Sequence, residues 1–170
     1  PPRSTPKPSS AASDVYKRQF LNKKDANSMI DILVIFGPSL NMFGTREPHI
    51  YGSDTLADTK AELEAQARGL DCKIKIMGSN NESTLVTKFR EARGTAKVIL
   101  FNFAAYTQKL IALSDALAIF NGPKVEVHLA NNYQPESFRE ISLTALVINH
   151  LIVGFGKVLS CLVLFLLMVY

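Results

Sequence analysis

The chain has 170 residues with 47% hydrophobic content, enough for one domain around a single core. A formal charge of +4 and a pI near 9.1 invite a nucleic-acid reading, yet residues 1–25 hold six Lys/Arg against two Asp, and the rest of the chain holds thirteen of each sign. A neutral body with no basic stripe or interleaved aromatics argues against nucleic-acid binding, and two distant cysteines, Cys72 and Cys161, without CxxC spacing argue against a disulfide framework or a zinc site.

Pro1 to Asn27 is rich in Pro, Ser and Lys, lacks apolar periodicity and reads as a disordered tail. It has no apolar stretch of the secretory-signal kind. Ser10 to Gln19 resembles a translated adapter or cloning scar, with a transit peptide as the second reading. The domain expected to fold is 28–170.

From Asp31 onward short β-rich runs alternate with helical segments, and most strand runs are nearly all apolar, which predicts a parallel α/β sheet buried on both faces. Ile32 to Phe36 is the first strand, stopped by Gly37-Pro38. Ser53 is placed to cap the first helix, whose Leu56, Leu63 and Leu70 mark one face before and just after Gly69. Cys72 to Met77 alternates instead of running apolar, which predicts an edge strand. Asn81 caps a second helix with Leu85, Phe89 and Ala92 at helical spacing, closed by Gly94. Val98 to Phe101 is the third strand and ends in Asn102. Thr107 begins a third helix with Leu110, Leu113, Leu117 and Phe120 on one face, stopped by Gly122-Pro123. Val125 to Leu129 is the fourth strand, a short helical turn follows around Glu136 to Glu140, and Leu146 to Val153 is the fifth strand. Lys157 to Tyr170 is apolar over only about a dozen uninterrupted residues, where roughly 20 are needed to cross a bilayer, so a buried or oligomer-facing helix is predicted.

In an open parallel sheet a ligand sits beyond the carboxyl ends of the strands. The residues there form a polar set: Ser39, Asn41, Arg46 and Tyr51 after the first strand; Asn102, Thr107 and Gln108 after the third; Glu126, His128 and Asn131 at and after the fourth; and Arg139 beyond. Arg46 and Tyr51 lie five residues apart in a Gly/Pro-bounded loop. A phenol titrates near ~10, and a cation within reach lowers an acidic pKa by roughly 1 to 3 units, which makes a tyrosine useful as a base. Taken alone, this is an ordinary surface loop. Glu126 and His128 are two apart on a strand and share a face, so the carboxylate is placed to orient the imidazole as a general acid; alone, the pair also reads as a structural histidine at a strand end. There is no Gly-x-Gly-x-x-Gly, Walker motif or metal-ligand spacing, so the set points to cofactor-free proton transfer on a small polar molecule.

Gly37-Pro38-x-Leu40-Asn41, Gly44-Thr45-Arg46-Glu47-Pro48, Ile50-Tyr51-Gly52 and Val125-Glu126-Val127-His128, in that order, resemble the type II 3-dehydroquinate dehydratases of the shikimate and quinate pathways. The similarity runs from about Ile32 to Gly156. It implies a flavodoxin-like three-layer α/β sandwich with a five-stranded parallel sheet, a trimer-based homododecamer, a cytoplasmic location and no cofactor. It also implies anti elimination of water from 3-dehydroquinate through an enolate. On that template Tyr51 takes the proton alpha to the ketone with Arg46 lowering its pKa, and His128, backed by Glu126, protonates the departing hydroxyl. Asn102 and Arg139 hold substrate hydroxyls, and the backbone beyond His128, at Leu129 and Ala130, receives the carboxylate. Asn41 to Tyr51 forms a closing lid. Asp115 holds the position from which the family reaches into a neighbouring subunit's site.

Four departures from the family pattern stand out. Ser39 replaces the usual Asn linked to enolate stabilisation, Gln108 replaces a substrate-contacting His, and Ala130 removes a hydroxyl near the carboxylate. Asn102 is followed by Phe103-Ala104 where Pro or Ala and then Gly are usual, which adds bulk expected to press on the site. Each lost polar contact is expected to cost on the order of 1 to 3 kcal/mol. The alternatives are therefore a degenerate, non-catalytic family member that binds a ligand or serves as an assembly subunit and, more weakly, a flavin- or nucleotide-binding module.

Overall fold

The computed structural model describes residues 29–44, 54–129 and 142–154. Five parallel strands, β1 (Ile30–Phe36), β2 (Ile74–Gly78), β3 (Ala96–Asn102), β4 (Lys124–His128) and β5 (His150–Val153), form one sheet in the order β2-β1-β3-β4-β5. This is the flavodoxin-like strand order, in which the chain steps from β1 to β2, then crosses back to lay β3 on the other side of β1. The crevice at the carboxyl ends of β1 and β3 is the topological switch point.

Side-chain alternation along these strands builds two cores. Ile32, Val34, Val98, Leu100, Val125 and Val127 pack on one face with Leu63 of α1 (Leu56–Gly69). Leu33, Ile35, Ile99 and Phe101 pack on the other with Leu85 and Phe89 of α2 (Glu82–Ala92) and Leu113 and Leu117 of α3 (Ile111–Ala118). β2 lies at the sheet edge, as its sequence predicts, with no residue fully buried. Asn81 caps α2 as expected, its side-chain oxygen accepting from Thr84 N at 3.3 Å.

Three element starts and one buried face differ most from the sequence expectation. α1 is capped by Thr55, where Ser53 is the expected cap: Asp58 N donates to Thr55 Oγ1 at 3.2 Å while Thr55 N donates to Asp58 Oδ2 at 2.9 Å, a reciprocal box. On the same helix Leu63 and Ala67 are the buried residues, whereas Leu70 is an exposed C-cap. Thr107 does not begin α3; it is buried in a 3-10 turn (Ala104–Gln108), and its hydroxyl is spent on a tertiary partner instead of a helix end. β5 starts at His150, not Leu146, because Ala145 N donates to Ser142 Oγ and Val147 N to the Thr144 carbonyl, a turn that Thr144 anchors on Glu126 through its hydroxyl and that leaves Leu146 exposed. The expected turn at Glu136–Glu140 and the terminal helix at 157–170 lie outside the described residues, as does the tail 1–27. No helix among the described residues is long and apolar enough to cross a membrane.

Candidate active site

The two strands that flank the switch point are held together by glycine. Gly37 N donates to the Asn102 carbonyl at 2.7 Å, and a Cβ on Gly37 would stand 2.7 Å from both the Cα and the carbonyl oxygen of Phe103. Only a residue without a side chain lets the β1 and β3 ends approach so closely. Ser39 follows with φ 63, and its N–H donates to Asn80 Oδ1 at 3.0 Å. Tyr106 donates its hydroxyl to the Asn80 carbonyl at 2.8 Å, so Asn80 bridges the loops after β1 and β3.

Asn102 is buried at the end of β3, where its Oδ1 accepts from Ala104 N at 3.0 Å. The oxygen therefore serves the turn, and the amide NH2 is the end with which Asn102 would hold a ligand oxygen. Phe103 does not press on the site. Its ring is fully buried beside Phe89 and Phe101, with centroids 5.2 and 4.3 Å away, so the extra bulk enters the core. Ala104 instead takes φ 49, a left-handed conformation that suits the glycine usual there. Gln108 is half-buried at the end of the 3-10 turn.

Glu126 and His128 sit on the last turn of the pleat in β4, both buried, and alternation puts them on one face. His128 Nε2 lies 3.0 Å from Glu126 Oε1. Since a carboxylate only accepts, Nε2 carries the proton in this contact and the second ring nitrogen, Nδ1, is the one able to exchange a proton with a ligand. The same carboxylate accepts from Thr107 Oγ1 at 2.6 Å and from Thr144 Oγ1 at 2.5 Å. Nothing local in the sequence distinguishes Thr144; it lies eighteen residues from Glu126 and meets it only through the fold. Leu129 follows His128 and packs against the α1-side core. Asp115 is exposed on α3. Arg46, Tyr51, Ala130, Asn131 and Arg139 lie outside the described residues. The structure thus brings together the expected Glu126, His128 and Thr107 at the end of β4, with Asn102 ending β3, Gln108 in the turn after it and Ser39 in the loop after β1.

Comparison with known proteins gives the family and the fold. The family model for dehydroquinase class II matches residues 30–164. The chain is 46% identical over 127 residues to a 3-dehydroquinate dehydratase of a Nostoc species, covering 75% of this chain and 86% of that protein. It is 41% identical over 125 residues to catabolic 3-dehydroquinase 1 of Fusarium vanettenii, covering 74% of this chain and 87% of the relative. Its fold superposes on the crystal structure of a type II dehydroquinase from Butyrivibrio crossotus with a TM-score of 0.78 at 34% identity, covering 83% of this chain and 99% of that one.

Proposed function

The chain belongs to the class II dehydroquinase family, and from that premise we infer that it is a hydro-lyase that removes water from 3-dehydroquinate to give 3-dehydroshikimate. The buried Glu126–His128 contact at the carboxyl end of β4 carries this reading, because it supplies an oriented proton donor beside the switch point. Tyr51, made more acidic by Arg46, takes the proton alpha to the ketone and leaves an enolate. His128 then delivers a proton from Nδ1 to the departing hydroxyl on the opposite face, and water leaves. Glu126 accepts from Nε2 and holds the ring in line for the transfer. The amide of Asn102 and the side chain of Gln108 hold substrate hydroxyls, with Arg139 beyond them and the backbone of Leu129 and Ala130 receiving the carboxylate. Ser39 holds the water that supports the enolate. The relatives compared above carry dehydratase or dehydroquinase names, and nothing favours the non-catalytic alternative.

The full chain given 3-dehydroquinate should develop the absorbance of a conjugated enone. Tyr51→Phe and His128→Ala should each lower kcat by roughly a hundredfold to ten-thousandfold, the usual weight of a positioned acid or base. No absorbance at high enzyme concentration sinks the assignment.

Assembly as a trimer-based dodecamer in the cytoplasm fits the same reading. It is supported by the outward side of α3 and its C-cap, where Ile111 and Ile119 are 67% and 45% exposed, an apolar surface that an interface would cover. Sedimentation should then give about twelve times the 18.8 kDa chain mass; a monomer mass would refute it.

A further inference from the structure

Two hydroxyls with no part in the dehydration chemistry converge on Glu126 from separate segments. Thr107 reaches Oε1 from the turn after β3, and Thr144 reaches Oε2 from the turn before β5. Glu126, Thr107 and Thr144 are all at least nine-tenths buried. The two segments are also tied to each other, Leu143 N donating to the Thr107 carbonyl at 3.0 Å, and the second is anchored on α3, where Ser114 Oγ donates to the Leu143 carbonyl at 3.0 Å.

Counting protons gives each bond a direction. A hydroxyl has one proton to donate. Thr144 spends its proton on Glu126, so in its 3.0 Å contact with Ser142 Oγ it accepts, and Ser142 is the donor. Ser142 Oγ in turn accepts from Ala145 N at 3.1 Å. The chain runs one way, from the Ala145 N–H through Ser142 and Thr144 to Oε2, and its members polarise one another. On the other side Oε1 takes two donors, Thr107 and His128.

We propose that Thr107 and Thr144, with Ser142 behind Thr144, are positioning residues for the acid. They hold the Glu126 carboxylate in the one rotation that presents Oε1 to His128 Nε2, so that the transferable proton sits on Nδ1. The proposal rests on the reading of His128 as the acid. With His128 as its only donor, a buried carboxylate would leave an oxygen unsatisfied and would turn in search of another partner, carrying the imidazole out of line.

Valine keeps the shape of threonine and removes its hydroxyl. In the full chain T107V and T144V should each lower kcat for 3-dehydroquinate about tenfold to a hundredfold, the weight of one hydrogen bond to a buried charged group, with KM changed less than about twofold. T107S and T144S should recover most of the loss. In an E126Q background T144V should add less than about twofold, because it acts only through the carboxylate. S142A, which leaves Thr144 in place, should lower kcat about threefold to tenfold and decides the matter if either valine variant fails to fold. Folded T107V and T144V proteins with parental kcat, a T144V loss as large in E126Q as in the parent, or an S142A protein with unchanged kcat would overturn the proposal. Crystal structures of T144V and S142A separate this outcome from failure of the reaction assignment. If the parent does not turn over 3-dehydroquinate, a displaced Glu126 and a His128 Nε2 beyond hydrogen-bond reach still support the positioning role, and an unmoved pair refutes it.

Discussion

Ser39 and Ala104 depart from the family pattern, and both also hold unusual backbone, with φ 63 and φ 49. For most residues the left-handed region costs roughly 1 to 2 kcal/mol, while Gly and, less freely, Asn adopt it. The residues usual at these positions are therefore the ones the backbone favours. Ala104→Gly should raise the thermal midpoint by an amount worth up to about 1 kcal/mol, since relief of the left-handed strain is partly offset by the greater chain entropy of glycine. Ser39→Asn should also stabilise, and should raise kcat/KM several-fold if the side chain at this position holds the enolate-supporting water. Thermal denaturation and the enone assay read the two effects. Lower midpoints for both variants would refute the backbone account.

Among the elements, the contact between the ends of β1 and β3 controls the site most directly. Gly37 is pressed against the Phe103 backbone, and Phe103 cannot yield because its ring is locked edge-on against Phe89 and stacked at a tilt on Phe101. Gly37→Ala must therefore part the two loops. The expected cost is about 1 to 3 kcal/mol, the range for overpacking a filled core. Because Gly37 also donates to the carbonyl of Asn102, the substitution should raise KM as well as lower the denaturation midpoint. A stable Gly37→Ala protein with parental KM would show that the loops have slack the packing denies.

At the scale of the molecule, the two ends of the sheet do different work. The carboxyl end gathers the reactive groups, while the amino end is stapled by Asp31, which pairs with Lys97 Nζ at 2.6 Å and accepts from Lys73 N at 2.8 Å, joining β1, β2 and β3. Burial pushes the Asp31 carboxyl up, but the Lys97 hydrogen bond and the Lys73 N–H outweigh it and hold the carboxyl below its ordinary range. A folded-state pKa below the unfolded value means that the stabilisation is full above about pH 4 and is lost as pH falls through the lower folded value. Lys97 is 60% exposed, so solvent screening limits the contribution to roughly 1 kcal/mol or less. Asp31→Asn should lower the midpoint near neutral pH and converge with the parent as the pH falls through the lowered folded-state value. A constant gap across that range would show that the staple acts through packing alone.

Four apolar runs and one alternating run, separated by helical periodicity, are a local record of burial, so the parallel sheet, the edge position of β2 and the Asn81 cap follow from the sequence alone. The Glu126–His128 contact is legible in the same way, because a period of two on a strand is local geometry. The start of β5 and the place of Thr107 are not. Leu146-Val147-Ile148 has the composition of a strand, and Thr107 has the chemistry of a helix cap, yet hydroxyls in both segments are drawn to Glu126. A buried carboxylate requires donors, and which ones it receives depends on loops that meet only when β3, β4 and β5 lie side by side. The sequence by itself determined the sheet and the acid pair; tertiary structure decided what holds the pair in place and sent Phe103 into the core, because both are settled by satisfaction and packing between segments distant along the chain.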